Sequence, residues 1–120
     1  MRRTTISVLF MVGLARGAAA DQSDVAALDG LQAQLSACVA FYTLELRCGR
    51  KPEFQGRLGM ASKRSDALAR AISLAPGDAA MRLELNIAAD ESLMQNSCDG
   101  LPTLESRYGD SCEPLSSAAE

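Results

Sequence analysis

The chain contains no histidine, which removes zinc sites built on imidazole, haem attachment through a Cys-x-x-Cys-His run, and the commonest general base of enzymes. No Cys-x-x-Cys pair is present, so the usual dithiol redox motif is missing as well. No segment alternates β-branched and polar residues with period two, and a sheet is therefore not expected. Neither a phosphate-cradling glycine loop nor a nucleophile elbow can be found. Long apolar runs are lacking too. The most continuous one, residues 6–14, is about nine residues, well short of the roughly 20 that span a bilayer as a helix.

That short run sits in an informative place. Arg2 and Arg3 precede it and Ala18-Ala19-Ala20 follow it, the order of a basic region, an apolar region and an A-x-A cleavage site. Residues 1–20 read as a signal peptide cleaved after Ala20. Thr4-Thr5-Ile6 do not match the longer twin-arginine pattern, so the general secretory route is expected. The short apolar region and alanine-rich site look bacterial, placing the mature protein in the periplasm or outside the cell, with no transmembrane anchor after cleavage. Residues 21–120 then hold nine basic and fifteen acidic side chains, a net charge of −6. An acidic chain of this size disfavours nucleic acid as a partner. At 100 residues it has room for one modest core.

Four cysteines, Cys38, Cys48, Cys98 and Cys112, lie in the mature part. An even count in an exported domain points to two disulfides. Helical periodicity is present in four segments, which gives an all-α class: a small four-helix up-and-down bundle braced by two disulfides over residues 21–115, with 116–120 a frayed tail. The first helix is expected from Ser23 as N-cap to about Arg47, with Val25, Leu28, Leu31, Leu35, Cys38 and Tyr42 at three- and four-residue steps. The second starts near Glu53 and carries Phe54, Leu58, Ala61, Ser65, Leu68 and Ile72. In the third, capped by Asp78 and ended by Asp99-Gly100, Leu83, Ile87, Met94 and Cys98 share a face that Met81, Leu85 and Leu93 flank. The last is capped by Thr103 and ended by Pro114, with Leu104, Tyr108 and Cys112 along one side.

Helical rise constrains the cysteine pairing. Cys38 and Cys48 are separated by about 15 Å along one helix, beyond the roughly 4–7 Å a disulfide tolerates between Cα atoms. In an up-and-down bundle the first and third helices end at one pole, bringing Cys48 near Cys98. From Thr103 the fourth helix descends about 13 Å to Cys112, close to the height of Cys38. The nested pairs Cys38–Cys112 and Cys48–Cys98 fit both heights. The competing pairs, Cys38–Cys48 and Cys98–Cys112, need the first helix to break near Thr43.

Cys38-x9-Cys48 resembles half of the twin Cx9C helical hairpins, a likeness limited to the principle of stapling helices. Through Ala37-Cys38-x3-Tyr42-x5-Cys48 and Arg107-Tyr108-x3-Cys112, the whole chain resembles small exported four-cysteine helical proteins of alphaproteobacteria. That resemblance implies no catalytic residues.

Charge is segregated. Residues 21–46 sum to −4, residues 47–70 to +5 and residues 71–120 to −7. The basic island holds Arg47, Arg50, Lys51, Arg57, Lys63, Arg64 and Arg70. Such a cluster can face membrane headgroups, lipopolysaccharide or an acidic protein. The simpler expectation is that its members pair with acids of the third and fourth helices. Asp90 and Glu91 interrupt the third helix's stripe, so one of them can face inward with a raised pKa; with no histidine or second carboxylate at a motif spacing beside them, a solvated edge is the expected reading. Ser65 reads as a small residue at a helix crossing. Tyr42 and Tyr108, each four residues from Cys38 or Cys112, are expected to become neighbours, covering a disulfide with their hydroxyls at the surface.

The reading that results is a non-enzymatic exported module, without cofactor or metal, that binds an envelope protein or anionic surface component. Arg50, Lys51, Arg57, Lys63, Arg64 and Arg70 form its candidate face. A thiol-active redox or metal-handling protein is the alternative, and Cys48 beside Arg47 and Arg50 is the cysteine best placed for it.

Overall fold

A computed structural model of the chain describes the backbone of residues 2–49 and 51–117 and the side chains of residues 24–49 and 51–117. The side chains of the expected signal peptide, together with Arg50 and residues 118–120, lie outside the described residues. Four helices are present: α1 (Arg2–Arg47), α2 (Phe54–Ala71), α3 (Pro76–Leu93) and α4 (Leu101–Ser116). Among the described residues there is no strand, and no helix is long and apolar enough to cross a membrane.

The bundle is organised around the second half of α1. From Leu35 to Leu44 this helix carries no charged side chain, and it packs against α2, α3 and α4 alike. A helix apolar on nearly all sides has to be the central one, and Leu35, Cys38, Val39, Ala40, Phe41, Tyr42 and Leu44 are accordingly buried. α2 and α4 run antiparallel to α1, whereas α3 runs parallel to it. Ala61, Ser65 and Ala69 form the buried stripe of α2. These small side chains at four-residue steps let α2 approach α1 closely, the role expected of Ser65.

Both disulfides form in the nested pattern, Cys38–Cys112 with Cα atoms 5.5 Å apart and Cys48–Cys98 with Cα atoms 5.7 Å apart. No break occurs near Thr43; its hydroxyl donates to the Val39 carbonyl at 2.7 Å within an intact helix. The competing pairing is thereby excluded.

The helix ends depart from expectation in instructive ways. Backbone helix runs through Ser23 without a cap there. α3 begins at Pro76, with Ala75 at the N-cap position and Asp78 inside the first turn, because proline at the first helical position gives up an N–H that has no partner anyway. α3 also stops a turn early, at Leu93. Gln95 and Asn96 both take positive φ, and the Asn96 amide returns to the Glu91 carbonyl at 2.8 Å. Cys98 therefore leaves the helix for a short 3-10 turn, Cys98–Gly100, capped by the Ser97 side chain. Gly100 is required at this point, since a Cβ would lie within 2.7 Å of the Met94 backbone. α4 then starts at Leu101 rather than after Thr103, and continues past Pro114 to Ser116.

The aromatic side chains among the described residues form one cluster. Phe41 lies 5.1 Å from Tyr42, 6.2 Å from Phe54 and 5.9 Å from Tyr108, and Tyr42 meets Phe54 edge-on at 5.0 Å. The two tyrosines are thus joined through Phe41. The expectation of a surface hydroxyl fails for Tyr42, whose hydroxyl is buried 2.7 Å from Ser116 Oγ. Side chains lean toward a helix's N-terminus, so the ring reaches back from residue 42 to the level of Cys38, where Cys112 and then Ser116 arrive on α4. Ser116 is consequently buried, and α4 holds the start of what was expected to be a loose tail.

Candidate docking face

α2 and α3 stand apart on one side of α1 and leave a groove of about 520 Å³ between them. Its floor is polar. Gln32 of α1 donates to Ser65 Oγ on α2 at 2.9 Å and accepts from Arg82 on α3 at 2.6 Å. Arg82 also bridges to Asp29 at 3.1 Å, and one turn further along, Asn86 donates to Ser36 at 3.3 Å. Three helices are tied together by one buried amide, and both polar atoms of the Gln32 side chain have a partner. Ser62, Asp66 and Arg70 line the α2 wall; Ala79, Ala80 and Leu83 line the α3 wall.

The basic island divides. Arg47 pairs with Glu91 at 2.9 Å, Lys51 with Glu105 at 3.7 Å and Arg57 with Glu113 at 3.7 Å, so these cations do meet acids of α3 and α4. Lys51 and Arg57 also lie over the Phe54 ring, at 5.5 and 5.4 Å. Arg64 donates to the Leu115 and Ser117 carbonyls, both at 2.8 Å. It caps the C-terminus of α4, where a cation complements the helix dipole. Lys63 and Arg70 are exposed and make no ion pair among the described residues. Of the expected basic face, these two are the exposed members without an ion pair among the described residues, Lys51 being exposed but paired, and Arg50 is outside the described residues.

α3 has its polarity arranged unusually. Asp90 is its only buried residue, while Met81 is 53% and Leu85 63% exposed. Expected to flank the inner face, Met81 and Leu85 instead start an outward row continued by Ala88 and Ser92, both exposed. Large apolar side chains held out in water and a carboxylate held inside are the informative exceptions to ordinary burial.

For Asp90 the expected solvated edge is not what forms. Glu91 occupies that edge, paired with Arg47, whereas Asp90 is 1% exposed and its Oδ2 has no hydrogen-bond partner among the described residues. Burial pushes its carboxyl above the ordinary range, against the opposing pull of the Tyr108 hydroxyl and Arg107. Burial, and then the Asp90 charge, raise the Tyr108 hydroxyl in turn. Among the described residues no three cysteine, aspartate or glutamate side chains converge on a metal-sized site. What the acid, phenol and guanidinium can do together is hold a proton at the α3–α4 seam.

A raised folded-state pKa fixes the sign of the pH dependence. Above the unfolded value near 3.8 the unfolded chain releases its proton first, so stability declines as pH rises toward the folded-state value. Asp90→Asn, which cannot ionise, is expected to melt higher than the parent at pH 7, with the gap closing near pH 4. Melting curves of both proteins across that range check this, and an offset independent of pH would show that Asp90 titrates normally.

The polar floor and the outward row went unnoticed in the sequence, although Gln32 and Ser36 interrupting the apolar face of the first helix are a visible sign of the floor. No family model, no curated protein and no solved structure matches this chain.

Proposed function

We propose that this protein is a non-enzymatic, exported interaction module of the bacterial envelope that docks through its α2–α3 side. Export is supported by the leader-like pattern of residues 1–20 and by two disulfides, which oxidising compartments preserve. The observation that carries the docking reading is the outward row of α3, where Met81 and Leu85 remain in solvent beside a groove whose floor is already built. Methionine adapts its shape to a partner surface at little cost. The earlier basic face contributes Lys63 and Arg70 to the same side of the molecule.

A photoreactive residue placed at Leu85 in the exported protein is expected to give a discrete crosslinked adduct in the native envelope, while one at Ser106, exposed on α4, gives none. Leu85→Glu is expected to leave stability within about 0.5 kcal/mol of the parent, as for other exposed sites, and to disrupt docking. Equal labelling from both positions, or none from either, would refute this use of α3.

A second reading rests on the different exposure of the two disulfides. Cys38 and Cys112 are buried, but Cys98 is exposed and Cys48 half-buried at the opposite end of the bundle. A thiolate reaches only an accessible sulfur, so a thiol-exchange function would use Cys48–Cys98. Graded reduction followed by alkylation and mass mapping is expected to open that bond alone while the domain stays folded. Simultaneous opening of both bonds counts against the reading.

A further inference from the structure

Resting on the reading of the α2–α3 side as a docking surface, we infer that its occupant is a second copy of this chain. In the pair, α3 of each copy lies antiparallel on α2 of the other about a two-fold axis.

The two helices present complementary rows. Outward on α3 stand Met81, Leu85, Ala88 and Ser92, at steps of four, three and four, which share a helix face, with the exposed carboxylates of Asp78 and Glu84 beside them. Outward on α2 stand Gly56, Gly59, Lys63, Ala67 and Arg70, at steps of three, four, four and three, all exposed. A Cβ added to Gly56 or Gly59 would meet nothing within 4 Å, so the space over these two glycines is open to a partner's side chain. One helix offers apolar projections beside two carboxylates, the other small residues beside two cations, Lys63 and Arg70, with the single carboxylate of Asp66 between them.

Charge selects the pairing. α3 against α3 would oppose Asp78 and Glu84 to their own copies, and α2 against α2 would do the same with Lys63 and Arg70. Asp66, exposed between these two cations on α2, reduces the repulsion in the second case, but only the mixed contact sets both cations against the carboxylates of α3. Symmetry then supplies both contacts at once. Since α2 and α3 run in opposite directions on one side of α1, a two-fold rotation about a line parallel to them places α2 of each copy over α3 of the other, antiparallel. The surface is self-complementary, as an isologous dimer requires.

The register agrees. Gln32 touches Ser65 and Arg82 together, so these two residues lie at the same level. Counting outward from that level in opposite directions sets Lys63 level with Glu84, Ala67 next to Met81, Gly59 level with Ala88, and Arg70 within one residue of Asp78. Met81 then meets Ala67, Leu85 falls at the level of Ser62 between Gly59 and Lys63, and each cation lies level with or next to a carboxylate. Two helices about 27 Å long and about 10 Å wide present several hundred Å², the scale of one partner's share of a specific interface.

Sedimentation equilibrium of the disulfide-intact exported protein tests the inference. A monomer–dimer equilibrium is expected, weakening as salt rises because its ion pairs are exposed at the rim. Leu85→Glu is expected to raise the dissociation constant about tenfold or more. Lys63→Glu should weaken association too, and the double exchange Lys63→Glu with Glu84→Lys should restore it. All three positions are exposed, so circular dichroism of each variant should match the parent. A monomer at every concentration up to about millimolar, or a dimer indifferent to Leu85→Glu and Lys63→Glu, overturns the inference. A monomer that still crosslinks from Leu85 to a foreign protein refutes the second copy while sparing the docking surface; a monomer that crosslinks to nothing refutes both.

Discussion

Replacing Cys38 and Cys112 with alanine is expected to cost about 4–5 kcal/mol, more than the equivalent change at Cys48 and Cys98, at about 3 kcal/mol. Chain entropy alone does not separate the two. With either bond intact, the other closes a loop made only of the arms between residues 38 and 48 and between 98 and 112, so both have a similar entropic value of about 3 kcal/mol. Burial separates them. Cys38 and Cys112 are 3% and 1% exposed inside the core, and alanine there leaves a cavity that the close-packed interior cannot fill. The Cys48–Cys98 bond spans the edge of the bundle, where water occupies the vacated space. Thermal unfolding of the two double variants should therefore rank the first lower by several degrees, with its midpoint roughly 15–30 °C below the parent. Equal destabilisation would mean that the buried sulfurs contribute no packing.

Tyr42 is the second residue on which a large effect is expected. Its ring is fully buried and contacts Phe41 and Phe54, so Tyr42→Ala should cost about 3–5 kcal/mol, as large aromatic truncations do. Tyr42→Phe isolates the hydroxyl. Ser116 already donates to the Cys112 carbonyl at 2.8 Å, so in the 2.7 Å contact with Ser116 Oγ the tyrosine is the donor. Its loss leaves Ser116 still bonded, and only about 1 kcal/mol is expected to go. Denaturant titration of the two variants checks the contrast. A Tyr42→Phe loss as large as the alanine variant's would place the main value of Tyr42 in its hydroxyl rather than its ring.

Much of the architecture was legible in the order of residues. The four helices, their antiparallel alternation and the nested disulfides follow from periodicity and rise, because both are local quantities repeated at every turn. Ser65 as a crossing residue was legible for the same reason, lying between Ala61 and Ala69 at helical steps. The helix ends were less so. Pro76 and Pro114 both signal termination in sequence, yet proline at a first turn costs nothing, and the residues beyond Pro114 are held by Tyr42 and Arg64. A terminus is thus settled by what packs against it.

The charged residues show where sequence reading stops. Arg57, Lys63 and Arg64 look alike in the chain. One pairs with Glu113, one stays in solvent and one caps α4, because Arg57 and Arg64 leave α2 on the side of α4, at different levels of it, while Lys63 leaves on the side turned away from the bundle. Asp90 and Glu91 are adjacent in sequence and opposite in fate, since a step of 100° along a helix turns one toward α4 and the other toward the rim. Glu45, fully enclosed near the end of the central helix, could not have been singled out at all.

By itself, then, the sequence determined an all-α chain with a leader-like pattern in residues 1–20, four helical segments, and cysteine heights that favour one pairing. Only the tertiary structure decided that α1 is the hub, that α3 turns Met81 and Leu85 outward, and that, among the described residues, Lys63 and Arg70 are the exposed cations of the basic island without an ion pair. Periodicity tells which residues share a face, but burial and pairing are properties of the neighbours that face meets, and those neighbours come from distant parts of the chain.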